Sequence, residues 1–452
     1  MVALLASMVR LAARPISDPD AFWHLRVGYL LRTGEFSLFR TGPLSSFATE
    51  SWIPRDWVPQ LVASQVEAWF GLPGVAWLYG LSLVAFVLVT YLLCRRWSDA
   101  LPAAVATGLC VVGAIGSLSQ RPQMVSFVLL VVVVHAWLRT ADDLRPRWWL
   151  VPLMWVWAGS HGMWYLGIAV GGAVVVGLML DRRADLRRLF VLALVPFLGL
   201  AAAAITPAGP WLLLAVFQTG DKWRFATEWG PPDFTSVNHA TAMLMVALTL
   251  LPWTRVRAPM AWVHLLLVLL ATALVLMAER TVAAGAAMVV LVLASTLQGL
   301  FHGRAPAPLP RSEVVTLVAA AGLAAGALAI TVPITSDGPA GVPEGLSAEL
   351  DALEPGSAVI NAYELGGWLH WRHPELNTVI DGFTDGYSVE ALEAWTSAVV
   401  VAPGWQQYVR STGADHALLS EESPLTEALT DRLGWRVVEV DEGYVLLEAG
   451  RG

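Results

Sequence analysis

Two aspartates, an indole and an imidazole stand together in Asp18-Pro19-Asp20-Ala21-Phe22-Trp23-His24. A carboxylate held under an apolar lip has its pKa raised toward the range in which it accepts a proton from a hydroxyl. That reasoning selects Asp20, beside Phe22 and Trp23, as a general base, with Asp18 as the other candidate. The alternative chemistry is a divalent cation on Asp18, Asp20 and His24, whose donor types suit several metals while their spacing specifies none. No soluble cofactor is implied. An acidic turn followed by a tryptophan at a lipid interface gives a similar pattern with no chemistry at all.

Further along the chain, charged and aromatic residues recur between apolar runs. Arg55-Asp56, between Trp52 and Trp57, suits a substrate hydroxyl or phosphate, or a plain surface ion pair. Arg121-Pro122 falls at a turn, where a guanidinium can take phosphate oxygens two at a time, or simply snorkel to headgroups. His161, in Ser160-His161-Gly162, interrupts an apolar stretch from Trp148 to Leu180 and is expected at the tip of a hairpin, either in a substrate role or satisfied by backbone. The connection 207–239 carries Lys222-Trp223-Arg224 and Glu228-Trp229, a mixture of aromatics with both charge signs that suits a sugar ring and a phosphate. Arg280, in Glu279-Arg280, ends another apolar run and is placed for a phosphate headgroup. In the tail, Asn361 to Trp368 and Asp381 to Tyr387 are glycine-rich turns, ligand loops or turns only.

The elements that must position these groups follow from composition. The chain has 452 residues, 56% hydrophobic and only 14% charged, where soluble domains carry about 25% charge. It reads as a polytopic membrane protein. Apolar runs at 71–94, 100–118, 124–138, 148–160, 163–180, 189–206, 240–252, 259–277, 281–300 and 313–333 predict, with a short first run at 1–13, about eleven spans. The first run is short for a span, which points to an incomplete or misassigned start. Arg95 and Arg96, then Arg139, Arg145 and Arg147, then Arg182, Arg183, Arg187 and Arg188, then Arg255 and Arg257, then Arg304 and Arg311 fall on alternate connections, which the positive-inside rule makes cytoplasmic. Asp18, Asp20, Arg121, His161, Glu228 and Arg280 then share the outer side with the C-terminal tail.

Residues 1–334 carry 23 basic against 16 acidic residues, and 335–452 carry 5 arginines against 20 acidic residues. The expected organisation is a membrane domain over 1–334, with 14–70 as its first outer loop, and an extracytoplasmic α/β domain over 335–452. The loop is expected to hold interfacial helices at 24–33 and 52–70. Strands are expected at 358–361, 378–380, 416–420, 435–440 and 444–448, and helices at 364–371, 389–398, 405–412 and 425–433. Cys94 and Cys110 sit in or beside apolar runs and form no disulfide framework. No nucleic-acid signature is present; the mildly basic membrane region fits contact with membrane lipids.

Taken in order, Asp18-Pro19-Asp20, Trp23-His24, Arg121-Pro122, His161-Gly162, Glu228-Trp229 and Asp381-Gly382, with about eleven spans and an outer C-terminal domain, resemble the GT-C superfamily of membrane glycosyltransferases, and more closely a group of largely uncharacterised bacterial members. The resemblance runs over nearly the whole chain. It implies a multi-pass protein of the bacterial inner membrane, a polyprenyl-phosphate-linked sugar donor, an acceptor (glycan, lipid or protein) approached from the extracytoplasmic side, and usually inversion at the anomeric carbon. It carries the base onto Asp20 or Asp18. Some GT-C branches place two acidic residues side by side here, whereas Pro19 separates them in this chain, so the choice between the two stays open. Arg121 and Arg280 are expected to stabilise the leaving phosphate, and His161 and Glu228 to position sugar or acceptor. The competing reading is a non-catalytic membrane protein that binds or moves lipid-linked glycans. A transporter is disfavoured because no internal repeat is visible.

Overall fold

The computed structural model describes residues 2–39, 41–215, 220–254, 261–301 and 303–450. Arg255 and Arg257 of the expected inner connections lie outside the described residues. The chain is mostly helical, 68%, and divides into two compact units. One comprises residues 1–14, 76–216 and 227–335, the other 15–75, 217–226 and 336–452.

The first unit is a helix bundle. Among the described residues of the whole chain, seven helices are long and apolar enough to cross a membrane: Trp57–Cys94, Ala100–Ser117, Gln123–Asp143, Gly162–Leu180, Leu186–Ala204, Glu279–Phe301 and Arg311–Thr335. Val2–Ala12, Val237–Leu250 and Trp262–Met277 are apolar but shorter, and the expected run 148–160 gives only the nine-residue helix Leu150–Ala158. These helices and the lipid-facing surface described next define a multi-pass membrane protein.

Burial sorts the helices. From Val282 to Leu293 every side chain is buried, as expected of a helix that is apolar all round and sits in the middle of its bundle. Arg311–Thr335 is the opposite case, with Leu323, Ile330 and Ile334 largely exposed, so its apolar surface faces what a bilayer would supply. A charged tie joins this outer helix to the bundle. Arg95 donates through Nε to Glu313 Oε1 at 2.8 Å and through Nη2 to Oε2 at 3.0 Å, and the Tyr91 hydroxyl donates to the same carboxylate at 2.6 Å. The two-point guanidinium geometry satisfies both charges where water is scarce.

The second unit holds a five-stranded mixed sheet: β1 (Ala358–Asn361), β2 (Asn377–Thr378), β3 (His416–Ser420), β4 (Arg436–Asp441) and β5 (Tyr444–Glu448), in the order β2-β1-β3-β5-β4. β1 is parallel to β2 and β3, and β5 is antiparallel to β3 and β4. Ile360, Leu419, Leu425, Leu429, Trp435 and Leu447 form its core. The expected strands and helices of the tail are all present, with ends moved by a residue or two; β2 closes at Thr378 because the chain then leaves for the Asp381 turn.

The loop before the bundle belongs to this unit rather than standing apart from the tail. Ile16 pairs with Pro339, Ser45 Oγ donates to Thr378 O, Ser46 N donates to Asn377 Oδ1 at 3.0 Å, and Glu50 N donates to Gly386 O at 3.0 Å. Its helices differ from expectation. The first spans Pro19–Thr33, five residues earlier than the apolar pattern suggested, because Asp18 caps it and Pro19 occupies the first position, where a missing N–H costs nothing. Gly34, at φ 81°, ends it. The second starts at Trp57 and runs on to Cys94, broken only at Gly71, whose φ of 65° is non-helical.

Candidate functional site

The two aspartates of the opening stretch have different tasks. Asp18 is buried and accepts from Asp20 N at 3.1 Å through Oδ1. Asp20 lies in the first turn, where the positive end of the helix dipole favours a carboxylate. Its Oδ1 lies against Gly382: a Cβ built on that glycine would stand 2.6 Å from it. His24, one turn beyond Asp20, places Nδ1 2.9 Å from Gln60 Nε2. The amide N–H donates, so Nδ1 accepts and the proton of the neutral ring is assigned to Nε2. No group of three or more His, Cys, Asp and Glu among the described residues is arranged to hold a metal ion.

A second polar cluster of this unit surrounds the turn after β2. Asp381 is buried and held at both oxygens: His370 Nε2 lies 2.9 Å from Oδ2 and Phe383 N donates to Oδ1 at 2.8 Å. The Thr378 hydroxyl lies 3.1 Å from the same His370 nitrogen. Burial, together with the Asp381 charge, pushes the Tyr387 phenol well above its ordinary value. Four residues past Asp381, Asp385 takes Arg55 Nη2 at 2.6 Å, and its backbone oxygen accepts from Lys222 Nζ at 3.1 Å. Burial works against the Arg55 charge, but Asp385 and Asp56 outweigh it and hold the guanidinium above its ordinary value. Phe383 stacks on Trp23, centroids 4.2 Å apart and planes 19° from parallel, with Trp52 edge-on at 5.1 Å. Trp23, Trp52, Asp381, Phe383 and Tyr387 line a shallow cleft.

In the helical unit the expected anion-binding residues meet. Arg121 Nη1 lies 3.2 Å from Glu228 Oε2, and Arg280 Nη1 lies 2.6 Å from Glu228 Oε1. The Arg280 guanidinium also lies over the Trp229 ring at 4.8 Å, a cation–π contact. Glu279 N donates to Gly230 O at 3.0 Å, which ties the Glu228 loop to the start of the Arg280 helix. His161 is buried. Its Nδ1 accepts from Met163 N at 3.3 Å and lies 3.0 Å from Ser126 Oγ, which in turn accepts from Trp157 Nε1 at 2.8 Å.

The structure thus joins Arg121, Glu228, Trp229 and Arg280 within one unit, and Asp18, Asp20, His24, Arg55 and Asp56 within the other. Glu228, expected to position sugar or acceptor, has both carboxylate oxygens on arginines. Four partners escaped sequence reasoning: Gln60, Ser126, His370 and Asp385. Gln60, Ser126 and Asp385 lie far along the chain from the residues they serve, while His370 stands 11 residues from Asp381 across the end of β2; the one available signal was Asp385 inside the already suspect Asp381 turn.

This architecture, a polytopic helical membrane unit with a small C-terminal sheet, is GT-C-like in fold. No family model matches the chain, and no curated protein sequence matches it. Among solved structures it is similar to ArnT of Cupriavidus metallidurans, in the apo state (TM-score 0.55, 16% identity, covering 100% of this chain and 99% of that one) and bound to undecaprenyl phosphate (TM-score 0.53, 16% identity, covering 100% and 98%). It is also similar to the apo oligosaccharyltransferase of Archaeoglobus fulgidus, with a TM-score of 0.56 and 12% identity over 92% of this chain and 69% of that one.

Proposed function

We propose that this chain is an integral membrane glycosyltransferase that moves a sugar from a polyprenyl-phosphate donor to a hydroxyl acceptor on the extracytoplasmic side, with 335–452 as an extracytoplasmic domain. The fold shared with ArnT and an oligosaccharyltransferase supports it, and so does the undecaprenyl phosphate bound by ArnT. The observation that carries it is Glu228 bridging Arg121 and Arg280: two guanidiniums that can share one carboxylate are spaced to share one phosphate.

In the proposed reaction the acceptor oxygen attacks the anomeric carbon while the bond from that carbon to the phosphate oxygen breaks. Asp20 takes the acceptor proton and the polyprenyl phosphate leaves with the bond's electron pair. Arg121 and Arg280 supply fixed positive charge where negative charge develops. The neutral Nε2–H of His161 and the pairing of His24 with Gln60 suit them to hold sugar or acceptor hydroxyls, and Arg55 with Asp56 serves the acceptor side. Asp18, occupied as a helix cap, is the weaker candidate for the base.

The test is transfer from a panel of radiolabelled polyprenyl-phosphate sugars in membranes containing wild type, Asp18→Asn or Asp20→Asn at equal protein level. Loss in Asp20→Asn alone is the expected outcome. Loss in Asp18→Asn alone moves the base two residues back. Transfer from no donor, or transfer indifferent to both changes, replaces the enzyme with a binder of lipid-linked glycans.

A further inference from the structure

We propose that His370, Asp381 and Gly382 are positioning residues that fix the Asp20 carboxylate, an inference that rests on Asp20 being the base. The contacts form a closed circuit. Gly367 in the helix Gly366–Arg372 meets the chain at Asp20's own helix so closely that a Cβ would stand 2.5 Å from Pro19 O and 3.2 Å from Trp23 N. His370, one turn further along the same short helix, holds Asp381 Oδ2 at 2.9 Å. Asp381 in turn fixes the turn by accepting from Phe383 N, and the intervening Gly382 lies against Asp20 Oδ1. Phe383 closes the circuit by stacking on Trp23, three residues past Asp20.

Each part has a physical reason. Gly382 leaves room for the carboxylate where any side chain would push it aside. The buried Asp381 spends both oxygens on the scaffold rather than on solvent, so the turn has one conformation instead of several. His370 bonds Asp381 and Thr378 through one nitrogen, which ties the turn to the end of β2. A base held this way meets an acceptor hydroxyl without a search over rotamers, which is where orientation contributes to rate.

The experiment compares Gly382→Ala, His370→Leu and His370→Gln with wild type in membranes, by two readouts. The first is labelling of Asp20 by a water-soluble carbodiimide, mapped by mass spectrometry with the exposed Asp337 as internal reference. Gly382→Ala and His370→Leu raise Asp20 labelling severalfold with Asp337 unchanged, and His370→Gln, which keeps a donor at the Nε2 position, restores it. The second is transfer, where Gly382→Ala lowers kcat roughly tenfold or more at unchanged KM. Asp20 labelling that matches wild type in both disruptive variants overturns the proposal, whatever the transfer result. Absence of transfer in wild type overturns the enzyme reading instead, and the labelling still decides whether the turn holds Asp20.

Discussion

Arg280 Nη1 lies 2.6 Å from Glu228 Oε1 while the guanidinium plane rests over Trp229. The arginine is thus held by charge on one side and by an aromatic face on the other, and neither contact uses all of its N–H groups. A phosphate arriving at this point meets a cation already oriented.

Replacing Arg280 by alanine is expected to raise the donor KM by roughly tenfold or more, the scale of losing charge-assisted hydrogen bonds. Arg280→Lys is expected to recover little, because an ammonium offers no planar fork and stacks less well on Trp229. Initial rates over a donor concentration series check both. Equal KM values in Arg280→Ala and wild type would remove Arg280 from the phosphate site.

Gly28 and Gln60 give a second expectation. A Cβ at Gly28 would lie 2.1 Å from Gln60 O, and Gln60 is the residue that holds His24. Gly28→Ala should destabilise the second unit by about 1–3 kcal/mol through overpacking. Gln60→Leu should leave stability closer to wild type and release His24. Hydrogen exchange of β1 and β3 in the full chain, in detergent, separates the two effects; full protection in Gly28→Ala would contradict the close crossing.

His373 supplies a pH dependence. Burial holds its imidazole below the ordinary value of 6.5, against the pull of Asp351, 2.7 Å from Nδ1, and of Glu344, while Arg372 pushes the same way as burial. Its Nε2 is buried without a hydrogen-bond partner among the described residues, so protonation there would bury a charged donor. The unfolded chain therefore binds the proton more readily than the folded one, and stability rises with pH across the window below 6.5 and is fully present above it. Melting of the second unit should move to lower temperature as pH falls through that window, and His373→Gln should flatten the trend. A melting temperature that rises on acidification would reverse the assignment.

The sequence made the sheet domain legible almost strand by strand, because short β-branched runs between glycine and charged turns carry their own signal. It also marked Arg121, Glu228 and Arg280, since charge at the ends of apolar helices stands out against hydrocarbon. Less legible was everything decided by distant partners. The union of Asp20 with Gly382 joins residues hundreds of positions apart, and the glycine's role is invisible until its missing Cβ has a neighbour. Helix starts misled for a local reason: the apolar pattern suggested a start at His24, whereas the backbone obeys the Asp18 cap and Pro19. The break between the expected helix 52–70 and the apolar run 71–94 was legible, because Gly71 supplies the positive φ at which the helical backbone is interrupted.

The Arg95 pair with Glu313 has a consequence for biosynthesis. Its partner is made 218 residues later, and at about 5–20 residues per second the nascent chain waits roughly 10–45 s with that guanidinium lacking its carboxylate partner. During this interval Arg95 can stay at the aqueous margin, and only the arrival of the last helix lets it withdraw among its neighbours. The final helix therefore acts as a latch on the order of assembly: a ribosome that stops short of Glu313 leaves a bundle whose early helices still carry an open charge, a ready mark for membrane quality control.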